Sequence, residues 1–110
     1  MSRTALQPAE YAARHDRARS LMRRSGLDGL LLTTPADICY FTGFLTRFWE
    51  SPTRPWFVIL PVHGPSVAVI PAIGAALMST CTIGQIRTWR APDLEDDGVS
   101  LLQDTLIDSI

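Results

Sequence analysis

The sequence predicts a layered α/β domain, a mixed sheet flanked by helices on both faces, and three observations carry that reading. The first is the stretch GLDGLLLTTPADICYFTGF at 26–44, which reads as a helix stop, a buried strand, a sharp turn and a second helix within nineteen residues. The second is a pair of apolar runs at 56–60 and 66–70, parted by Val62-His63-Gly64-Pro65, which together describe an antiparallel hairpin. The third is an alternating segment at 86–90 that gives way, after a break, to apolar residues at helical spacing. Strands interleaved with helices imply layers around one core. With 110 residues, 46% apolar and 19% charged, the chain has material for a single folded domain.

Residues 8–25 read as an amphipathic helix in which Tyr11, His15, Ala18, Leu21 and Met22 share a stripe. Arg17, Arg23 and Arg24 lie outside the stripe, and the late arginines suit the negative end of the helix dipole. Gly26 closes this helix in the left-handed conformation. Leu30, Leu31 and Leu32 form an unbroken apolar run, as expected for a central strand covered on both faces. Thr34 is a good N-cap, Pro35 suits the first helical position, and Asp37 favours the positive end of the dipole. Gly43 should end this second helix after about two turns. The segment 45–54, LTRFWESPTR, obeys no clean period, and Pro52 and Pro55 make it a loop of fixed path.

After the hairpin, Pro71 opens a helix to about residue 80, with Ile73, Ala76, Leu77 and Thr80 on one side and Gly74 weakening it. Residues 86–90 alternate as a half-exposed edge strand would. Ala91-Pro92-Asp93 breaks it. The acids from Asp93 mark a new helix start, and Val99, Leu102, Leu106 and Ile110 recur at helical spacing. That helix shows no cap or stop signal by Ile110, so the sequence predicts a chain truncated at its C-terminus.

Several function classes are disfavoured. Net charge is −1, with no global attraction to nucleic acid or an anionic membrane. Six of the ten basic residues lie in the first 24 positions, but no aromatics are interleaved for base stacking, so they read as a solvated or interdomain face. No apolar run reaches bilayer length, and the N-terminus lacks the apolar core of a signal peptide. Cys39 and Cys81 form no C-x-x-C pair and read as free thiols in a cytoplasmic protein. His15 reads as a surface or half-buried helix residue and His63 as a solvated turn residue. Glu95-Asp96-Asp97 reads as a helix start rather than a cation site. There is no nucleophile elbow, phosphate loop or H-E-x-x-H motif, and no catalytic constellation of any kind.

The order of Gly26-Leu27-Asp28, then Pro35, Asp37, Ile38, Tyr40, Thr42, Gly43 and Phe44, resembles the start of the creatinase/prolidase N-terminal domain, found in Xaa-Pro aminopeptidases, prolidases and creatinases. A looser likeness extends to about Arg90. The resemblance implies a ribonuclease H-like fold over residues 1–110, with chemistry residing in an absent C-terminal "pita-bread" domain. In the peptidases of that family the C-terminal domain binds two divalent metal ions; creatinase works without them. No catalytic or metal-binding residue is therefore expected here, nor any cofactor in this chain. Implied partners are the C-terminal domain of the same protein, a second subunit in a homodimer, and a small peptide or a small amidine or guanidine substrate, without nucleic acid or membrane.

In the family this domain supplies dimer contacts and one wall of the substrate pocket, which points to the loop after the Y-F-T-G-F turn: Arg47, Phe48, Trp49 and Arg54. An Arg fork clamps a carboxylate bidentately, and an aromatic face packs a proline ring. The same residues suit, somewhat better, core packing by Phe48 and Trp49 with Arg47 and Arg54 solvated. The expected parent is a metal-dependent Xaa-Pro peptidase. A creatinase-like amidinohydrolase or other small C–N hydrolase is the alternative, and a free-standing interaction module is a third reading.

Overall fold

The computed structural model describes residues 7–44, 56–90, 96 and 98–110. Helix α1 (Pro8–Ser25) starts on a proline and stops at Gly26, whose φ of 72° lets the chain turn back so that Leu27 N–H reaches the Met22 carbonyl. Strand β1 (Gly29–Leu32) and helix α2 (Pro35–Thr42) follow. Thr34 Oγ1 accepts the Asp37 N–H, the N-cap bond expected from the sequence, and Gly43 (φ 83°) ends α2. Beyond these come β2 (Phe57–Pro61), β3 (Val67–Pro71), a 3-10 turn (Ala72–Gly74), the single-turn α3 (Ala75–Met78), β4 (Gln85–Trp89) and α4 (Val99–Ser109).

The four strands among the described residues lie in the order β1-β2-β3-β4. The first two pairings are antiparallel and the last is parallel, so the sheet is mixed as expected. Register sorts the side chains. Leu30 and Leu32 of β1 align with Leu60 and Val58 of β2, and Val58 aligns with Ala68 of β3. Partners across a pair share a face. On that face Leu32, Val58, Ala68 and Ile70 pack with Ile38 of α2, Met78 of α3, and Phe44 and Trp56. Leu60 meets Ala18 and Met22 of α1. The opposite face carries Ile59, Val69 and Trp89, covered by Leu101, Leu102 and Leu106 of α4. Helices thus flank the sheet on both sides.

Three expectations are corrected. Among the described strands the Leu30–Leu32 run lies at the edge of the sheet, not at its centre: Leu31 lies opposite Ile59 on the face that α4 covers, yet remains 45% exposed. The central positions belong to β2 and β3, in which Val58, Ile59, Leu60, Ala68, Val69 and Ile70 are all buried. After Pro71 there is no continuous helix. The predicted stripe of Ile73, Ala76, Leu77 and Thr80 faces solvent, while Gly74 and Met78 turn inward.

In α4 the packed side is Leu101, Leu102, Thr105 and Leu106, whereas Val99 and Ile110 are exposed. The acidic helix start does hold at Asp96, whose carboxylate accepts from the Ser100 N–H and hydroxyl; Glu95 and Asp97 lie outside the described residues. Among the described residues no helix is long and apolar enough to cross a membrane.

Candidate functional site

The sequence directs attention to the segment between Phe44 and Trp56. Arg47, Phe48, Trp49 and Arg54 lie in it and fall outside the described residues. Its two flanks are described, and they are built with care at the residue level.

The last four carbonyls of a helix have no partner within it. In α2 each finds one elsewhere. Gly43 N–H reaches the Cys39 carbonyl at 2.8 Å, and Thr82 N–H, from the α3–β4 connection, reaches that of Thr42 at 3.0 Å. Arg14 Nη1 donates to the Tyr40 carbonyl at 2.6 Å, and His15 Nε2 to that of Phe41 at 2.7 Å. Two consecutive residues of α1 thus cap the C-terminus of α2, with the Arg14 cation at its negative end. The Arg14 guanidinium also lies over the Tyr40 ring, 4.1 Å from its centroid. His15 is accordingly buried, at 8% exposure, rather than a surface residue, and Arg14 is no simple solvated charge. Sequence reasoning placed His15 on the inner stripe of α1 but missed its partner, because nothing local to α1 reveals which carbonyls of α2 lie opposite.

Thr42 Oγ1 donates to the Ile38 carbonyl at 2.6 Å and accepts the Phe44 N–H at 3.1 Å, so the chain leaves α2 along a fixed direction. Phe44 is fully buried, and its ring packs against Trp56 with centroids 5.3 Å apart. The departure and return points of the intervening segment are therefore in contact. Trp56 in turn lies on Gly74: a Cβ there would stand 2.2 Å from the indole. Gly74 has φ −92°, open to any residue, so space rather than backbone conformation demands glycine. The sequence marked Gly74 only as a weak point in a helix.

Other candidates are placed apart. His63 is an exposed turn residue, as read. Cys39 and Cys81 are free and half-buried, and burial pushes the Cys81 thiol up from its ordinary value, partly offset by the Thr80 hydroxyl. Among the described residues no three His, Cys, Asp or Glu side chains gather where they could hold a metal ion, so these residues do not fit a metal centre.

A family model described as the creatinase/prolidase N-terminal domain matches residues 14–109. No curated protein matches the sequence. Among solved structures, the creatinase/prolidase N-terminal domain of an X-Pro dipeptidase from Streptococcus pyogenes superposes with a TM-score of 0.65 at 22% identity, covering 74% of this chain and 60% of that one. A prolidase from Thermococcus sibiricus gives 0.79 at 17% identity over 97% of this chain and 27% of its own. An Xaa-Pro aminopeptidase from Streptococcus pyogenes gives 0.65 at 20% identity, over 93% and 72%. The chain spans 60% of the first of these and about a quarter of the prolidase. Likeness at these identities establishes the fold.

Proposed function

This chain belongs to the creatinase/prolidase N-terminal domain family, and from that premise we propose that it serves as the non-catalytic N-terminal domain of an Xaa-Pro peptidase, supporting dimerisation and forming one wall of the substrate pocket. The observation that favours a wall is the closed base of the 45–55 segment. Phe44 and Trp56 touch, and Gly74 seats Trp56 against the scaffold. Contact between the two flanking rings brings the ends of the segment together, so closing it costs little further entropy, and loops on a packed scaffold are where binding residues commonly lie.

In this reading Arg47 or Arg54 receives the carboxylate of a small peptide as a bidentate pair, and Phe48 or Trp49 packs its proline ring. Bond cleavage, and the two divalent metals that would polarise the scissile carbonyl when bound, belong to a C-terminal domain of the same cytoplasmic protein. The described residues of this chain supply no step of that chemistry; their part is to bind and orient.

The test is kinetic, on the full-length protein with an Xaa-Pro dipeptide. Trp49→Ala and Arg47→Ala should each lower kcat/KM by about tenfold or more, the scale of one lost charge-assisted or aromatic contact. Unchanged kinetics in a folded variant would remove the wall role.

A further inference from the structure

We propose that the open cleft between α1, the β2–β3 turn and the α3–β4 connection is a binding site for a small oxyanion, a carboxylate or a phosphate. Its volume is about 490 Å³, within the span of ordinary small-molecule sites. Arg19 supplies the charge. Its Nε donates to the Pro61 carbonyl at 3.1 Å and its Nη2 to that of Gly64 at 2.7 Å. Those two bonds fix the plane of the guanidinium and leave Nη1 with no acceptor among the described residues. A fork so held loses little freedom on gripping an anion.

Ser66 is the second observation. It lines the same cleft and is 5% exposed. Its Oγ accepts the Gly84 N–H at 3.0 Å, yet its own O–H has no acceptor among the described residues. The hydroxyl hydrogen is therefore free to rotate toward an anion in the cleft and donate to it. The wall bearing it is tight: a Cβ on Gly84 would stand 2.6 Å from Pro65 Cβ and 2.7 Å from the Ser66 carbonyl oxygen. His15 also lines the cleft, with Nε2 already committed to the Phe41 carbonyl. No Asp or Glu is among the described lining residues, so nothing there opposes a negative ligand.

The experiment is an amide NMR titration of the 110-residue chain with sodium phosphate and, separately, sodium citrate, each against sodium chloride of equal ionic strength. Saturable shifts confined to residues 15–19, 64–66 and 80–84 are expected with at least one anion, and which anion acts identifies the class. Arg19→Gln should weaken that binding by about tenfold, as loss of a charge-assisted bond does. Ser66→Ala should also weaken it, while Arg17→Gln, an exposed cation outside the cleft, should leave it unchanged. If Arg19→Gln gives no dispersed spectrum, Ser66→Ala decides. No saturable shift with either anion, shifts spread over every exposed arginine, or binding indifferent to the folded cleft variants would overturn the proposal.

Discussion

Gly74 and Trp56 show how one missing methyl can govern a site. Alanine would be welcome at position 74 by backbone entropy alone, since replacing glycine where the conformation suits any residue stabilises by roughly 0.4–1 kcal/mol. Space argues the other way, because the new Cβ would sit 2.2 Å from an indole that is 2% exposed and cannot swing aside. Overpacking of this kind costs about 1–3 kcal/mol, so Gly74→Ala should lower the denaturation midpoint and shift the Trp56 fluorescence. A midpoint equal to or above the wild type would show that Trp56 yields easily. Cys81 offers a chemical check at the same scale. Its thiol is held above the ordinary cysteine value by burial, so less of it is thiolate at pH 8. It should alkylate with iodoacetamide more slowly than a free cysteine peptide, and its rate should keep rising at pH values where the peptide has levelled off.

Helix α4 meets the sheet through polar contacts of Arg87, which donates to Thr105 Oγ1 as well as to Asp108, and through apolar packing, and their magnitudes separate the two kinds. Arg87 Nη1 meets Asp108 Oδ2 at 3.0 Å, but the side chains are 33% and 60% exposed. Such a surface pair contributes roughly 0–1 kcal/mol. Leu102 packs against Ile59, Val69 and Trp89. Truncating an aliphatic side chain in a packed contact costs roughly 2–5 kcal/mol when fully buried, and the lower end suits the partly buried Leu102. Chemical denaturation should therefore find Asp108→Asn nearly silent and Leu102→Ala clearly destabilising. Comparable losses from both would mean that the ion pair, not apolar burial, docks α4. The sequence had placed Val99 and Ile110 on this helix's inner stripe. Period alone picks a face only to within a residue or so, and the face was settled here by Thr105, a polar residue that is fully buried with its hydroxyl on the Leu101 carbonyl.

At the scale of the molecule, what was legible in the sequence is what local chemistry decides. Thr34, Pro35 and Gly43 bound α2 because caps and left-handed turns depend on near neighbours, and a link of only five residues, 62–66, makes the β2–β3 hairpin almost unavoidable. Strand order was not legible. Leu30, Leu31 and Leu32 carry the composition of a central strand, and only pairing with β2, some thirty residues on, places β1 at the edge among the described strands. The capping of α2 by Arg14 and His15, and the cleft around Arg19, are long-range for the same reason. The true order makes a prediction that the sequence reading would have reversed. Amide protection follows the free energy needed to open each element. Strands β2 and β3 are paired on both edges and buried on both faces, whereas β1 has four residues and one free edge among the described strands. Native-state hydrogen exchange should find the slowest amides at 58–60 and 67–70, opening only with global unfolding, and faster exchange throughout β1. Protection at 30–32 equal to that of β2 would mean that another segment pairs with the outer edge of β1 and that the sheet continues beyond it.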